Sequence, residues 1–328
     1  MSIYDSIDNM WEHLLFVLLN CANNRDSRDG PVCGEVVGYK GVLDASKQRT
    51  FLTNDVRNLS PSYAAAEFLW YMSGEGSTEM IEKYAPSYVK YRRQDGTAYG
   101  AYGPRMFAAW DVTTDFSGTS QVPDDRPALE RIVDMLRKSS LSRQAVLQFW
   151  DPHDLSVAES GGCADVPCTL GLQFLARDGA LHIVTTMRSN DAWLGFPYDV
   201  FAFTCLQRVV ACELGLQVGE YHHQVGSMHL YARNETRARE ALASGTSTEV
   251  PHGWQLDDTL DSVKLAVELE SLLRHGGNPL EVEARAQALG GMGTDLLRAC
   301  CNKLRPALEW SPRSPLMQRR SNACTDAK

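Results

Sequence analysis

The sequence predicts a mixed α+β fold, with a largely antiparallel sheet faced by long helices and a helical C-terminal extension. Three observations predict it. Strand-like segments recur between residues 31 and 232. Apolar residues repeat at helical spacing through 5–20, 61–73 and 199–214. From residue 234 onward the pattern is helical alone.

In chain order, residues 5–20 read as an amphipathic helix capped by Asp5 or Ser6, with Ile7, Met10, Trp11, Leu14 and Leu18 along one stripe. Residues 31–43 read as a strand with glycine bends. Residues 61–73 form a helix opened by Pro61 and closed by Gly74. Residues 112–126, dense in polar residues, Gly and Pro, read as a mobile surface loop. A helix at 127–138 leads into a strand at 143–150, and strands at 168–176 and 180–188 flank Arg177-Asp178-Gly179, a hairpin signal. Residues 199–214 space Val200, Phe203, Leu206, Val210 and Leu214 as a buried helix does, and 220–232 is a further strand. Helices follow at 234–243, 259–275 and 293–305. The chain divides into a main unit over 1–235, a helical extension of the same domain over 236–312, and a disordered tail over 313–328.

With 328 residues, 44% hydrophobic and 22% charged, the composition is that of a globular protein with a sizeable core. The formal net charge of −9 disfavours a broad nucleic-acid face but leaves room for a small anionic substrate held by a few arginines. Nine scattered cysteines lack the paired spacing of a metal centre, so no metal is expected. The apolar run Leu14–Leu19 is too short to cross a membrane, and no signal peptide is evident. The reading is a reduced, cytoplasmic protein.

Chemistry concentrates in residues 166–199, VPCTLGLQFLARDGALHIVTTMRSNDAWLGFPYD. Five other blocks accompany it: SRDG at 27–30, AEFLWY at 66–71, YGAYG at 99–103, SRQAVLQFW at 142–150 and GSMHLYARN at 226–234. Any one would be weak, but six in order are specific. On these blocks the chain resembles the thymidylate synthase superfamily over about residues 10–235. Within it, the chain looks most like the (deoxy)cytidylate 5-hydroxymethylases of bacteriophages and antibiotic pathways. Cys168 is followed by Thr169 where the synthases usually have histidine, the arginine motif reads Met187-Arg188-Ser189-Asn190-Asp191, and the block ends in Asp199 where uridylate enzymes have asparagine.

The resemblance implies a thymidylate synthase-like fold and one-carbon transfer from 5,10-methylenetetrahydrofolate to carbon 5 of a pyrimidine nucleoside monophosphate, CMP or dCMP. It also implies a homodimer, in a bacterial or phage-infected cell. Cys168 would be the nucleophile at ring carbon 6. Its thiolate should be favoured by nearby arginines, although from spacing alone a buried core cysteine is the simpler account. Asp199 would read the base: an ionised carboxylate only accepts hydrogen bonds, which suits the amino group of cytosine and repels the carbonyl of uracil. As Asp199 precedes a helix predicted to start at 200, capping is compatible with that role.

By the same resemblance the phosphate falls to Arg28, Arg188 with Ser189, and Arg143 from a second subunit, with Gln144 where a second arginine is common. Glu67, set among apolar neighbours, should have a raised pKa and serve as general acid/base. Tyr102 would help remove the carbon-5 proton, and packing alone would explain it equally well. His229 and Tyr231, two apart on a strand, would grip the sugar 3′-hydroxyl, although such a pair is more often structural. Asp191 would bind the pterin of the folate, in a pocket lined by Trp193, Leu194 and Gly195. The synthases have a tryptophan after the Glu-bearing helix that shields the ring intermediate. Here residues 78–92 hold tyrosines and no tryptophan, which favours water over hydride and a hydroxymethyl product. A dCMP 5-methyltransferase is the alternative, since Trp193 could take over shielding. A thymidylate synthase acting on dUMP and a non-catalytic nucleotide binder are further ones.

Overall fold

Ser6 opens the first helix, its Oγ accepting the Asn9 amide at 3.2 Å, and the following apolar stripe commits α1 (Ile7–Asn20) to the core. The computed structural model describes residues 2–21, 25–107, 126–161, 165–245, 259–286, 289 and 291–304. A short strand, β1 (Ile3–Tyr4), precedes α1, and β2 (Val32–Asp44) follows it. Helix α2 (Pro61–Met72) starts with proline behind Ser60, whose Oγ accepts the Tyr63 amide at 3.2 Å. Next come α3 (Glu79–Tyr84), α4 (Tyr102–Phe107), α5 (Ala128–Lys138), β3 (Val146–Gln148) and α6 (Pro152–Ser160). The hairpin β4 (Thr169–Arg177) and β5 (Ala180–Asp191) turns through Asp178 and Gly179, both at positive φ (50° and 78°), a conformation glycine adopts without cost. Then follow α7 (Gly195–Leu214), β6 (Gln217–Tyr231), α8 (Glu235–Ser244), α9 (Leu260–Arg274), α10 (Pro279–Ala286) and α11 (Gly291–Leu304).

One six-stranded sheet runs in the order β1-β2-β6-β5-β4-β3. Pairings β2–β6, β5–β4 and β4–β3 are antiparallel, while β1–β2 and the central β5–β6 are parallel. The parallel pair follows from α7, whose 20 residues carry the chain back along the sheet before β6 begins. The core on the helical face includes Trp11, Phe68, Phe149, Phe174, Phe196, Phe201 and Phe203, each contributing roughly 1.5–3 kcal/mol by burial.

Several details differ from expectation, among them the short elements β1, α3, α4 and α6, for which no segment was expected. The predicted strand 143–150 shortens to Val146–Gln148, because the Phe149 and Trp150 amides both turn to the Leu170 carbonyl (3.0 and 3.2 Å). Helix α7 begins at Gly195, so Asp199 lies inside it and does not cap it. Helix α10 was not expected; Asn278 Oδ1 accepts the Leu280 amide at 3.1 Å, a cap whose Asn-Pro signal was present in the sequence. The C-terminal helices share the core: α9 and α11 pack on α2, and Tyr84 donates to buried Glu270 at 2.9 Å, which Arg274 also meets at 3.2 Å. Most of the loop expected at 112–126, and the tail expected at 313–328, lie outside the described residues. Among the described residues no helix is long and apolar enough to cross a membrane.

This topology collects chemistry at one end of the sheet. Cys168 precedes β4, Arg188 to Asp191 end β5, and His229 and Tyr231 end β6. Val32 at the start of β2 pairs with Tyr231, so the loop carrying Arg28 arrives at the same end.

Candidate active site

Glu67, Cys168 and Asp199 are walled by protein yet keep part of their surface accessible, the condition of groups lining a recess. The Asp199 carboxylate raises the pKa of Glu67, Cys168 and Tyr102 alike, which brings α2, α4, α7 and the start of β4 around one space. Glu67 lies one turn after Tyr63, whose hydroxyl donates to Glu67 Oε1 at 2.8 Å. Burial, then the charge of Asp199, pushes Glu67 up to about 8, so it is mostly protonated at neutral pH. Burial likewise pushes Asp199 up to about 7, with Asn190 Nδ2 donating to its Oδ2 at 2.6 Å. Both ionisation states of Asp199 are therefore populated near neutrality, and it is not the fixed acceptor that the sequence suggests.

Cys168 departs from expectation too. Burial raises its thiol above the ordinary value, and Arg188 and Arg28 oppose this without reversing it. The reason is visible at Arg188, whose Nε and Nη2 donate to the carbonyls of Pro167 (2.8 Å) and Val166 (2.9 Å). That arginine holds the backbone before the cysteine as well as facing the sulfur. Thr169, the residue that replaces the usual histidine, turns inward, and its amide and hydroxyl donate to Tyr102 Oη at 3.2 and 2.8 Å. With both bonds accepted, the Tyr102 hydroxyl hydrogen is free to point elsewhere.

His229 and Tyr231 make an edge contact with ring centroids 4.9 Å apart, as their shared strand face requires. Ser189 is half-buried beside Ser227 of β6. Arg28 is exposed, paired with Asp29 at 3.2 Å, and close enough to Cys168 to lower its pKa. Arg143 is exposed before the edge strand β3, its carbonyl accepting from Gln173, five residues along β4 from Cys168 and so about 15 Å away. One chain does not bring Arg143 to the sulfur.

The residues expected around folate divide. Asp191 accepts the amides of Trp193 (2.8 Å) and Leu194 (3.2 Å) on Oδ1, so Oδ2 is what it has left for a ligand. The Leu194 side chain is 47% exposed, and Gly195 stands against Asn190 and Asp199. Trp193 does not line an open pocket. Its ring is buried against Trp11 (5.5 Å) and the guanidiniums of Arg57 and Arg237, while its carbonyl accepts from Arg57 at 2.7 Å. The ring is thus packed into the interior and not presented to the recess.

Sequence reasoning missed Asn190, Tyr63, Tyr71 and Tyr88. Tyr88 packs edge-on against Trp70 at 5.4 Å, and its phenol is pushed up by burial and by the charges of Asp165 and Glu67. The signal was available for Tyr63, four residues before Glu67 on a helix, but Asn190 and Tyr88 become neighbours only through tertiary packing. Among the described residues, His182, Glu220 and His222 are spaced as metal ligands could be. His182 Nδ1, however, accepts the Glu220 amide at 3.1 Å, leaving the ring proton on Nε2 and no lone pair for an ion.

The sequence model of the thymidylate synthase family matches residues 9–266. This chain belongs to the thymidylate synthase family. It is 25% identical over 240 residues to the thymidylate synthase of Bacillus phage phi3T, spanning 70% of this chain and 81% of that protein. It is 26% identical over 234 residues to thymidylate synthase 1 of Bacillus spizizenii, spanning 67% and 79% respectively. The structure of thermostable thymidylate synthase A from Bacillus subtilis superposes with a TM-score of 0.61 over 78% of this chain and 93% of that one, at 22% identity, which establishes the shared fold. The family match passes residue 235 and ends within α9, further than the motifs alone suggested. As a thymidylate synthase-family protein, the chain is an enzyme that transfers one-carbon groups to a pyrimidine nucleotide, in a family that uses methylenetetrahydrofolate.

Proposed function

We propose that this thymidylate synthase-family enzyme takes cytidylate, CMP or dCMP, and makes its 5-hydroxymethyl derivative. The observation that carries this is Asp199, an acid in the recess of Cys168 with a carboxyl near pKa 7. Cys168 Sγ, once its proton has left to solvent, would add as the thiolate to ring carbon 6, pushing the electron pair of the 5,6-double bond toward carbon 4 and nitrogen 3. Protonated Asp199 would donate to nitrogen 3, where that charge collects, and accept from the amino group with its other oxygen. Glu67, also protonated near neutrality, would relay protons near carbons 4 and 5, and the free hydrogen of Tyr102 points to a part in the carbon-5 proton transfer. Methylenetetrahydrofolate, when bound, supplies the one-carbon unit at the formaldehyde level; Asp191 Oδ2, Leu194 and Gly195 are the residues that fit it.

Two further features support the reading. Tyr88 brings a hydroxyl, not an indole, to the neighbourhood of Glu67, which favours water as the final reactant. Among the described residues, the sheet face away from the helices carries a groove of about 470 Å³ that includes Val146, Trp150, Leu172 and Val184. A second copy on that face would cover it and could bring its Arg143 to the phosphate held by Arg28, Arg188 and Ser189, while His229 and Tyr231 hold the sugar. A deoxycytidylate methyltransferase is the second reading.

The test is mass spectrometry of products after incubation with methylenetetrahydrofolate and CMP, dCMP or dUMP. A 5-hydroxymethylcytidylate product, with carbon-5 tritium release lost in Cys168→Ala, is expected. Thymidylate from dUMP would overturn the proposal.

A further inference from the structure

An acid with a carboxyl near pKa 7 poses a problem that the protonated form makes plain. A neutral carboxyl group carries one donor and one acceptor, so it fits either pyrimidine. With the acceptor oxygen at ring position 4 and the hydroxyl at nitrogen 3 it reads cytosine. With the two exchanged it reads uracil. Aspartate at position 199 therefore does not choose a base unless something decides which oxygen holds the proton.

We infer that Asn190 is the residue that decides, a positioning residue that keeps Asp199 Oδ2 an acceptor facing the amino group of cytosine and leaves the proton on Oδ1 facing nitrogen 3. This rests on the cytidylate reading above and names the device behind its specificity. Asn190 is 4% exposed, at the end of β5, and its Nδ2 donates to Asp199 Oδ2 at 2.6 Å. A donated N–H stabilises the oxygen that carries more negative charge, so it disfavours a proton on Oδ2. A Cβ at position 195 would come within 3.3 Å of both Asn190 Nδ2 and Asp199 Oδ2, so the glycine there leaves the bond undisturbed. The remaining titratable groups facing Asp199 are Glu67 and Tyr71 of α2, Tyr102 of α4, Cys168 before β4 and Tyr221 of β6. Among the described residues, Asn190 alone donates a hydrogen bond to Asp199. Asn190 Oδ1 is buried with no partner there, which an amide locked in one orientation by Asp199 explains. The reverse amide orientation would spend the carboxyl proton in a bond from Oδ2 to Asn190 and leave none on Oδ1 for nitrogen 3.

The experiment compares kcat/KM for cytidylate and uridylate, of either sugar, across pH 5.5–9 in the wild type, Asn190→Leu, Asn190→Ala and Asn190→Ser. Leucine keeps the volume and removes the donor, while serine keeps a hydroxyl donor. In the leucine and alanine variants the cytidylate-to-uridylate ratio is expected to fall by about 10-fold or more, the scale of one lost discriminating hydrogen bond. The pH limb belonging to Asp199 should move upward, because a contact that lowers its pKa is gone. Serine should restore part of both. Should leucine not fold, as circular dichroism would show, alanine against serine decides. An unchanged ratio and an unchanged limb in both donor-free variants would overturn the role of Asn190 while leaving the cytidylate reading intact. A wild-type enzyme that preferred uridylate would overturn both.

Discussion

Two aspartates, one fully buried and one lining the recess, have opposite chemistry. Asp154 sits in the first turn of α6, fully buried, and receives Arg105 through two bonds of 2.8 Å, the Tyr99 hydroxyl at 2.7 Å and the Asp151 amide at 2.7 Å. Burial alone would raise its pKa, but these donors carry it below the ordinary aspartate value. Asp199 receives one neutral donor and rises to about 7. Burial raises both; the number and charge of the donors differ. An acid whose hydrogen-bonding capacity is filled from within the fold is structural, and one left short of partners is available to a ligand.

Substitution should separate the two most sharply. Asp199→Asn is expected to exchange base preference, lowering cytidylate turnover relative to uridylate by up to ~10⁴-fold, with thermal stability unchanged or raised because a poorly paired buried acid is gone. Competition assays with both nucleotides measure this. Asp154→Asn should do the reverse. Leaving Arg105 buried without its carboxylate costs about 3–5 kcal/mol in urea unfolding, with base preference unaltered in whatever fraction remains folded. If Asp154→Asn altered preference, or Asp199→Asn unfolded the chain, the contrast would fail.

Acidity sharpens it further. Asp199 and Glu67 have folded pKa values (about 7 and about 8) above their ordinary values of 3.8 and 4.5, so the native state binds more protons than the unfolded chain between about pH 4 and 8. Their stabilising effect is complete below pH 4 and is lost as pH rises through 7 to 8. Asp154, with a depressed pKa, contributes stability above pH 4 that is lost on acidification. Urea midpoints across pH 3–9 should thus fall toward alkaline pH, and Asp199→Asn should flatten that fall. The smallest effect belongs to a third buried acid, Glu270, held by Tyr84 and Arg274. Tyr84→Phe should cost about 1–3 kcal/mol, read as a lower denaturation midpoint, by loosening the packing of α9 near α3.

Much of this was legible beforehand where the signal is local. The cap at Ser6, Pro61 opening α2, the Asp178-Gly179 turn and the spacing of α7 each act within a few residues, and each lies where the sequence places it. Glu67 was readable as a buried acid because its helix neighbours are apolar. Arg188 was assigned to phosphate from its motif, but its hold on the carbonyls before Cys168 required β5 to be set against the chain preceding β4. The start of α7 was misplaced because the Leu194 position carries no cap signal; Asp191 takes its amide from three residues earlier.

By itself, then, the sequence determined most of the long helices and strands, the family, and the presence of a thiol, two acids and several arginines. Those depend on residue identity and short spacing, which are written in one dimension. Tertiary structure alone decided that burial outweighs the arginines in raising the Cys168 thiol, that Trp193 is buried, and that Asn190 meets Asp199. Protonation depends on desolvation and on which donors reach an oxygen within about 3 Å, and those distances exist only once β5, α2 and α7 have packed together.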